Sequence, residues 1–354
     1  MRAVVKLANG YNNMQLTEIP KPEASGKLVL VRVAYSGVCG TDLHAFKGTY
    51  ASTKTPVVLG HEFSGVVTEV GSEVTKVKPG DRITSETTFA TCGTCPYCAT
   101  KDYNLCSNRR GIGTQVNGSM AEFVLTREES VHTLPDHVSL LSAALTEPLA
   151  CGVHAAIEKG EVQRDDIICV FGAGAIGLLL SQVAKAKGAY VILAGLTSDE
   201  ERFRVGEKIG VDRTVDQMKE NITEIVKELT QGTGVDKVFE CSGSVVALNK
   251  GLEIVKKRGR VIQIGVFPQE QMTIATDLIL NKEIEYIGSR SQKPSSWEKS
   301  IALLAEGVVI PEMIVTKICS LDEWETAFAV SMRGEGVKTV LRCSDDETDF
   351  SIKG

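Results

Sequence analysis

The stretch Cys92-Gly93-Thr94-Cys95-Pro96-Tyr97-Cys98, followed by Cys106, puts four thiols on one short loop. The spacing C-x2-C-x2-C-x7-C lets four thiolates close tetrahedrally around Zn2+. Four sulfurs leave no open position, so the ion would be structural and would stiffen a lobe otherwise poor in apolar residues. A zinc ribbon on nucleic acid and a redox pair compete with this reading. The acidic balance of the chain opposes the first, and the packed four-thiol spacing opposes the second.

A second group is dispersed: Cys39-Gly40-Thr41-Asp42-Leu43-His44, then Gly60-His61-Glu62, then Thr146-Glu147-Pro148-Leu149. One Cys, one His and carboxylates suit a zinc ion with one position left open. A donor set of this kind also accepts Mn2+ or Co2+. Taken singly, His61 reads as a core or loop histidine, and Glu62 and Glu147 as surface carboxylates.

The third group is a turn. Ile167-Ile168-Cys169-Val170-Phe171 runs into Gly172-Ala173-Gly174-Ala175-Ile176-Gly177 and then an apolar helical stretch from Leu178. In strand–turn–helix context the first Gly permits the tight turn, the second lets backbone approach a pyrophosphate, and the third lets helix and strand pack. The first helical residues, Ala175 and Ile176, then turn unpaired N–H groups toward the phosphates of NAD or NADP. A glycine turn without a ligand is the alternative. About 20 residues on, an NAD site places an acid for the ribose 2′-hydroxyl. Here the chain reads Ala194-Gly195-Leu196-Thr197-Ser198, and the acid is missing. Thr197, Ser198 and Arg202 or Arg204 offer donors to a 2′-phosphate, so NADP is expected alone or beside NAD. Asp199 or Glu200 bending back to the ribose would reverse that expectation.

The elements that must hold these groups fall into two textures. Over the first 147 residues, short β-like runs (28–33, 65–70, 120–125) are broken by Gly and Pro turns such as Lys78-Pro79-Gly80-Asp81. From about Asp166, apolar strands at 167–171, 191–194, 237–240, 260–265 and 284–287 alternate with helical stretches, which implies a parallel doubly wound sheet. A helix over 295–306, a break at Pro311 and a strand at 338–342 follow. The acidic end, Ser344-Asp345-Asp346-Glu347, is expected to fray.

A chain of 354 residues exceeds one ordinary core, so two domains are expected. With 43% hydrophobic and 24% charged residues, and no apolar run near the ~20 needed to cross a bilayer, a membrane role is excluded. The N-terminus reads as a strand rather than a signal peptide, and a cytoplasmic protein is expected. The net charge of −6 gives no footprint for nucleic acid, leaving Arg109-Arg110 and Lys256-Lys257-Arg258 as solvated surface. Cys151, Cys169, Cys241, Cys319 and Cys343 sit singly in apolar surroundings and are expected to be buried thiols.

In order and spacing, Cys39-Gly40-Thr41-Asp42-x-His44, Gly60-His61-Glu62, the four-cysteine loop and Gly172 to Gly177 resemble the medium-chain zinc alcohol dehydrogenases over essentially the whole chain. The resemblance implies a mainly β GroES-like catalytic domain over 1–148 with a structural zinc lobe, a Rossmann domain over 149–288, and a return to the catalytic domain over 289–354. It implies Cys39 and His61 as catalytic zinc ligands, Glu62 as ligand or near neighbour, and Glu147 at the third ligand position. Glu147-Pro148-Leu149 is similar to the polyol branch, the sorbitol and iditol dehydrogenases, where a carboxylate stands in place of a cysteine.

Within that branch, residues 102–110 and Gly288-Ser289-Arg290-Ser291-Gln292-Lys293 resemble bacterial polyol-phosphate dehydrogenases. The implied substrate is a sugar alcohol or its phosphate, such as D-arabitol phosphate, oxidised at a secondary hydroxyl to the ketose. Arg290, with Lys293 or Arg110, would surround the phosphate; alternatively Arg290 bonds a sugar hydroxyl or a backbone carbonyl. Zinc would polarise the hydroxyl, nicotinamide C4 would take the hydride, and Thr41 and His44, or Glu62 and Glu147, would carry the proton away. Unphosphorylated sorbitol/iditol-type and threonine-type dehydrogenases are the alternatives. A zinc-independent quinone reductase would lack Cys39, His61 and the four-cysteine loop, and a regulatory protein would need neither site. A dimer or tetramer is implied, with strand 284–287 at a sheet edge.

Overall fold

Leu28–Gly37, valine-rich and buried along both faces, is the spine of the first of two units. The computed structural model describes residues 1–269 and 271–344. The first unit holds Met1–Glu147, Lys293–Glu306 and the chain from Val315 onward. Its spine pairs antiparallel with Glu62–Val70, Phe123–Arg127 and Lys338–Arg342. Arg82–Ser85 and Val131–Thr133 extend the sheet on one side, and Val315–Ser320 lies parallel beside Lys338–Arg342 on the other. Val31, Val33, Leu59, Phe63 and Ile83 fill its core and are fully buried. Each such side chain contributes about 1.5–3 kcal/mol relative to exposure. A mainly β unit, as the sequence implies, is what forms.

One strand differs from expectation in a way that matters. The run expected at 65–70 begins three residues earlier, at Glu62, so the His61-Glu62 pair leads directly into the sheet. Glu62 then lies opposite Gly37 in the ladder.

The second unit holds Pro148–Gln292 and Gly307–Ile314. Its six strands run in spatial order Arg213–Asp216, Tyr190–Gly195, Ile167–Phe171, Val235–Glu240, Val255–Gln263 and Glu285–Gly288, all parallel. The first strand in the chain is central because it is apolar throughout: Ile168, Cys169 and Val170 are fully buried. The chain winds outward to Arg213–Asp216, returns to lay Val235–Glu240 on the other side, and leaves a switch point between the two halves. Arg213–Asp216 was not legible in the sequence, because an edge strand of alternating exposure has no apolar run to show.

All ten cysteines are free thiols. Cys169, Cys319 and Cys343 are buried, whereas Cys151, inside the helix Thr146–Val153, and Cys241, just past the strand Val235–Glu240, are only half-buried, contrary to expectation. Asp345, Asp346 and Glu347, expected to fray, lie outside the described residues. No helix among the described residues is long and apolar enough to cross a membrane.

Candidate active site

The four-cysteine loop closes as its spacing requires. Cys95 precedes a one-turn helix, Pro96–Ala99, which Pro96 starts and which carries Cys98. A second short turn, Tyr103–Leu105, delivers Cys106. The sulfurs lie 3.5 Å (Cys95–Cys98), 3.7 Å (Cys92–Cys106) and 3.8 Å (Cys92–Cys98) apart, and all four within 4.8 Å. A tetrahedron with Zn–S bonds of ~2.3 Å has edges of ~3.8 Å, so the loop fits the ion. Backbone N–H groups of Thr94 and Cys95 hold the Cys92 thiol down at about 6. The Cys98 N–H favours the Cys95 thiolate, but desolvation and the neighbouring sulfurs push that thiol up to about 11. Four sulfurs this close ionise together only around a cation.

The second group assembles in the first unit from three elements. Cys39 caps the N-terminus of the helix Gly40–Lys47, in extended conformation. Asp42, one turn in, accepts the Cys39 N–H at 2.9 Å and the Gly60 N–H at 3.1 Å, tying the helix start to the next motif. Its carboxylate also lies 3.7 Å from His61 Nδ1. That nitrogen is buried without a hydrogen-bond partner, beside the Asp42 carboxylate, whose charge acts on the ring. The donor atoms of Cys39, His61 and Glu62 lie within 4.8 Å of one another.

Charge in this pocket is anionic. Burial works against a proton on His61, yet the charges of Asp42, Cys39 and Glu147 hold its pKa well above the usual value. Burial likewise opposes the Lys338 ammonium, but Glu62, Cys39 and Glu147 raise its pKa. A thiol, an imidazole and a carboxylate in a buried anionic pocket fit a divalent cation with a fourth position free. Glu147, expected at the third ligand position, lies outside the close group, though buried near enough for its charge to act on His61 and Lys338.

In the second unit the glycine turn forms as expected. Gly172 follows the central strand, Gly174 caps the helix Ala175–Ala186, and Ala175 and Ile176 open its first turn. A Cβ on Gly177 would meet the Gly172 carbonyl oxygen at 2.0 Å, so the third glycine permits the close packing of turn and helix.

Residues 25–136 match the alcohol dehydrogenase GroES-like domain, and residues 175–306 match the zinc-binding dehydrogenase domain. The chain is 50% identical over 347 residues to a D-arabitol-phosphate dehydrogenase of Enterococcus avium, covering 98% of this chain and 99% of that protein. It belongs to the medium-chain zinc alcohol dehydrogenases, in their polyol branch. This zinc dehydrogenase is also 44% identical over 341 residues to a sorbitol dehydrogenase of Halalkalibacterium halodurans, covering 96% of this chain and 99% of that one. Among solved structures, a Sinorhizobium meliloti protein described as a zinc-binding dehydrogenase and bound to NADP aligns with a TM-score of 0.88. The two share 31% identity, over 96% of this chain and 98% of that one. The enzyme is thus an oxidoreductase acting on alcohols, of the zinc-binding dehydrogenase family.

The remaining expected residues of the dehydrogenase distribute as follows. Thr41 is half-buried on the helix Gly40–Lys47, and His44 is exposed with Nδ1 3.0 Å from Thr49 Oγ1. After Gly195, Asp199 turns back onto the chain: it accepts the Leu196 N–H at 3.0 Å and pairs with Arg202 at 3.1 Å. Thr197 donates to Asp216 at 2.7 Å, and Ser198 is exposed beside it. Arg110 and Lys293 belong to the first unit and Arg290 to the second. Arg110 and Arg290 are exposed, while Lys293 pairs with Asp102 at 3.0 Å.

Two functional neighbours escaped sequence reasoning. Thr49, the partner of His44, is one of many threonines with no motif to mark it. Lys338 lies 276 residues from Glu62, yet its Nζ is 2.8 Å from Glu62 Oε1 and donates to the Val38 carbonyl at 2.8 Å. Both side chains are at most 5% exposed. A Cβ on Gly37 would stand 2.2 Å from Glu62 Oε2, so the pair occupies space that only glycine leaves.

Proposed function

We propose that this dehydrogenase oxidises a secondary hydroxyl of a sugar-alcohol phosphate, such as D-arabitol phosphate, to the ketose. The geometry that carries the reading is the buried Cys39, His61 and Glu62 group, three donors that leave a four-coordinate ion one position for a hydroxyl. The 50% identity to the arabitol-phosphate enzyme favours a phosphorylated polyol over free sorbitol.

Zinc held there would supply the Lewis acidity that makes a hydroxyl more acidic, and a bound nicotinamide would supply the hydride acceptor. The chain's own residues do the rest. Cys39 and His61 hold the ion, and the charge of Asp42 acts on the imidazole. Lys338 holds Glu62 against the sheet, so the carboxylate stays beside the ion without exposure to water. Thr41 receives the hydroxyl proton, and His44, supported by Thr49, passes it to solvent. His44→Ala therefore slows kcat about tenfold without abolishing it, because general base assistance of this kind contributes on the order of a hundredfold when complete.

We further propose that NADP is accepted beside NAD. Gly195 itself carries no acid for the ribose, and Arg202 would exchange Asp199 for a 2′-phosphate. Arg290 and Arg110 remain the candidates for the substrate phosphate, and Lys293 serves only if it leaves Asp102. Free thiols throughout suit a reducing, cytoplasmic setting, and the exposed edge of Glu285–Gly288 suits pairing into a dimer or tetramer. Initial rates for polyols, polyol phosphates and threonine with NAD and NADP test the reading. The expected result is the highest kcat/KM for a pentitol phosphate; a preference for sorbitol or threonine would overturn it.

A further inference from the structure

Glu240, the last residue of the strand Val235–Glu240, is fully buried in the second unit. Its Oε1 accepts the Ser242 N–H at 2.8 Å, the Ser242 hydroxyl and the Ser244 N–H at 3.4 Å, and its Oε2 accepts the Gly243 N–H at 3.2 Å. No Lys or Arg among the described residues pairs with it. A carboxylate buried without a cation is costly, and here only N–H and O–H donors of one loop offset that cost.

The loop it gathers occupies a defined place. Cys241 donates its N–H to the Phe171 carbonyl at 2.9 Å, and the Gly172 turn abuts the Ser242 backbone. The Ile264 and Gly265 N–H groups bond the Glu240 carbonyl at 2.9 and 2.8 Å, and Gly265 packs against both the carboxylate and Gly243. The carboxyl ends of Ile167–Phe171, Val235–Glu240 and Val255–Gln263 are therefore joined through Glu240 at the switch point of the sheet. In such sheets the dinucleotide spans the crevice at that point, one mononucleotide over each half. The adenosine ribose belongs at the end of the second strand, Tyr190–Gly195. The nicotinamide mononucleotide then lies over the half that begins with Val235–Glu240.

We propose that Glu240 is a positioning residue for the nicotinamide half of the cofactor, holding the backbone of residues 241–244 and 264–265 as the floor on which that half rests. Its charge is felt locally: burial first, and Glu240 second, raise the pKa values of Cys241 and Tyr286. The inference rests on the dinucleotide site and is independent of which polyol is oxidised. Glutamine cannot replace the carboxylate, because its NH2 group would face the N–H of either Gly243 or Ser242, donor against donor.

The test is titration calorimetry of the zinc-loaded enzyme with NAD and NADP, and with ADP and adenosine 2′,5′-bisphosphate as probes of the adenosine half. Glu240→Gln is expected to raise the cofactor Kd about tenfold, the scale of one lost charged hydrogen bond, while leaving the adenosine probes within about twofold of wild type. Ser242→Ala, which removes one donor hydroxyl and no buried charge, is expected to shift the cofactor Kd about threefold in the same direction. Unchanged cofactor affinity in both variants overturns the proposal. So does a parallel loss for cofactor and adenosine probes with a lowered melting temperature, the mark of a merely structural role. Cofactor binding absent from the wild type would instead sink the dinucleotide assignment and this inference with it.

Discussion

At the residue scale, the two zinc groups differ in what their loss should do. Cys39→Ala removes one of three donors from the open group and should abolish turnover, while zinc content falls from about two to about one per chain. Metal analysis alongside an absorbance assay checks this, and near-native activity at full metal content would show the assignment to be wrong. Lys338 makes a second residue-level prediction. In the metal-free enzyme, Lys338→Met leaves the Glu62 carboxylate buried without a cation, which should cost about 3–5 kcal/mol in chemical denaturation. Lys338→Arg should recover most of it, and a loss below about 1 kcal/mol, the level of an exposed pair, would mean the pair is not the buried contact described.

At the element scale, the central sheet of the second unit is held in register by charge as well as by apolar burial. Asp236 accepts the Ile167 N–H at 2.7 Å and pairs with Lys256, joining two neighbouring strands. Burial pushes its carboxyl pKa up, but Lys256, the Ile167 N–H and the charge of Lys237 outweigh it and leave the pKa lowered. A carboxyl lowered on folding contributes stability that is present above its unfolded pKa and lost as pH falls through the folded value. Melting temperatures of wild type and Asp236→Asn should therefore differ at pH 7, and the gap should begin to close below about pH 4, the unfolded value, and vanish only once the pH has fallen past the lowered folded value. A gap that widened toward acid would refute the sign. The helix Ala175–Ala186 presents a simpler case: Leu179 is fully buried, and Leu179→Ala should cost about 2–5 kcal/mol.

At the scale of the whole molecule, the two metal groups should be separable by chelation. The open Cys39 group has three protein donors, and the closed four-sulfur loop has none to exchange with solvent. Activity is expected to vanish in a first phase with little change in melting temperature. Release of the second ion, followed by a thiol-reactive metal indicator, should then lower the melting temperature as the lobe loses its cross-link. Simultaneous loss of activity and stability in one phase would contradict the division of labour between the groups.

Local pattern carried a great deal. The four-cysteine loop, the Cys39 and His61 motifs, the glycine turn and the central strand Ile167–Phe171 were legible because each depends on residues close in the chain: ligand spacing, tight turns and continuous apolar runs. What depended on pairing between distant strands was not. Whether Glu62 or Glu147 joins the close metal group follows from the register that sets Glu62 opposite Gly37 and brings Lys338 alongside, and no spacing in the sequence encodes that register. The same holds for Asp199, which sequence left between the ribose and its own loop and which the turn after Gly195 commits to Leu196 and Arg202. The four-cysteine loop could thus be read as a zinc-binding pattern from the chain alone, whereas the carboxylate that lies beside Cys39 and His61 required the sheet. Ligand spacing along a loop is a covalent constraint, while the approach of one strand to another is set only by the packing of the whole unit.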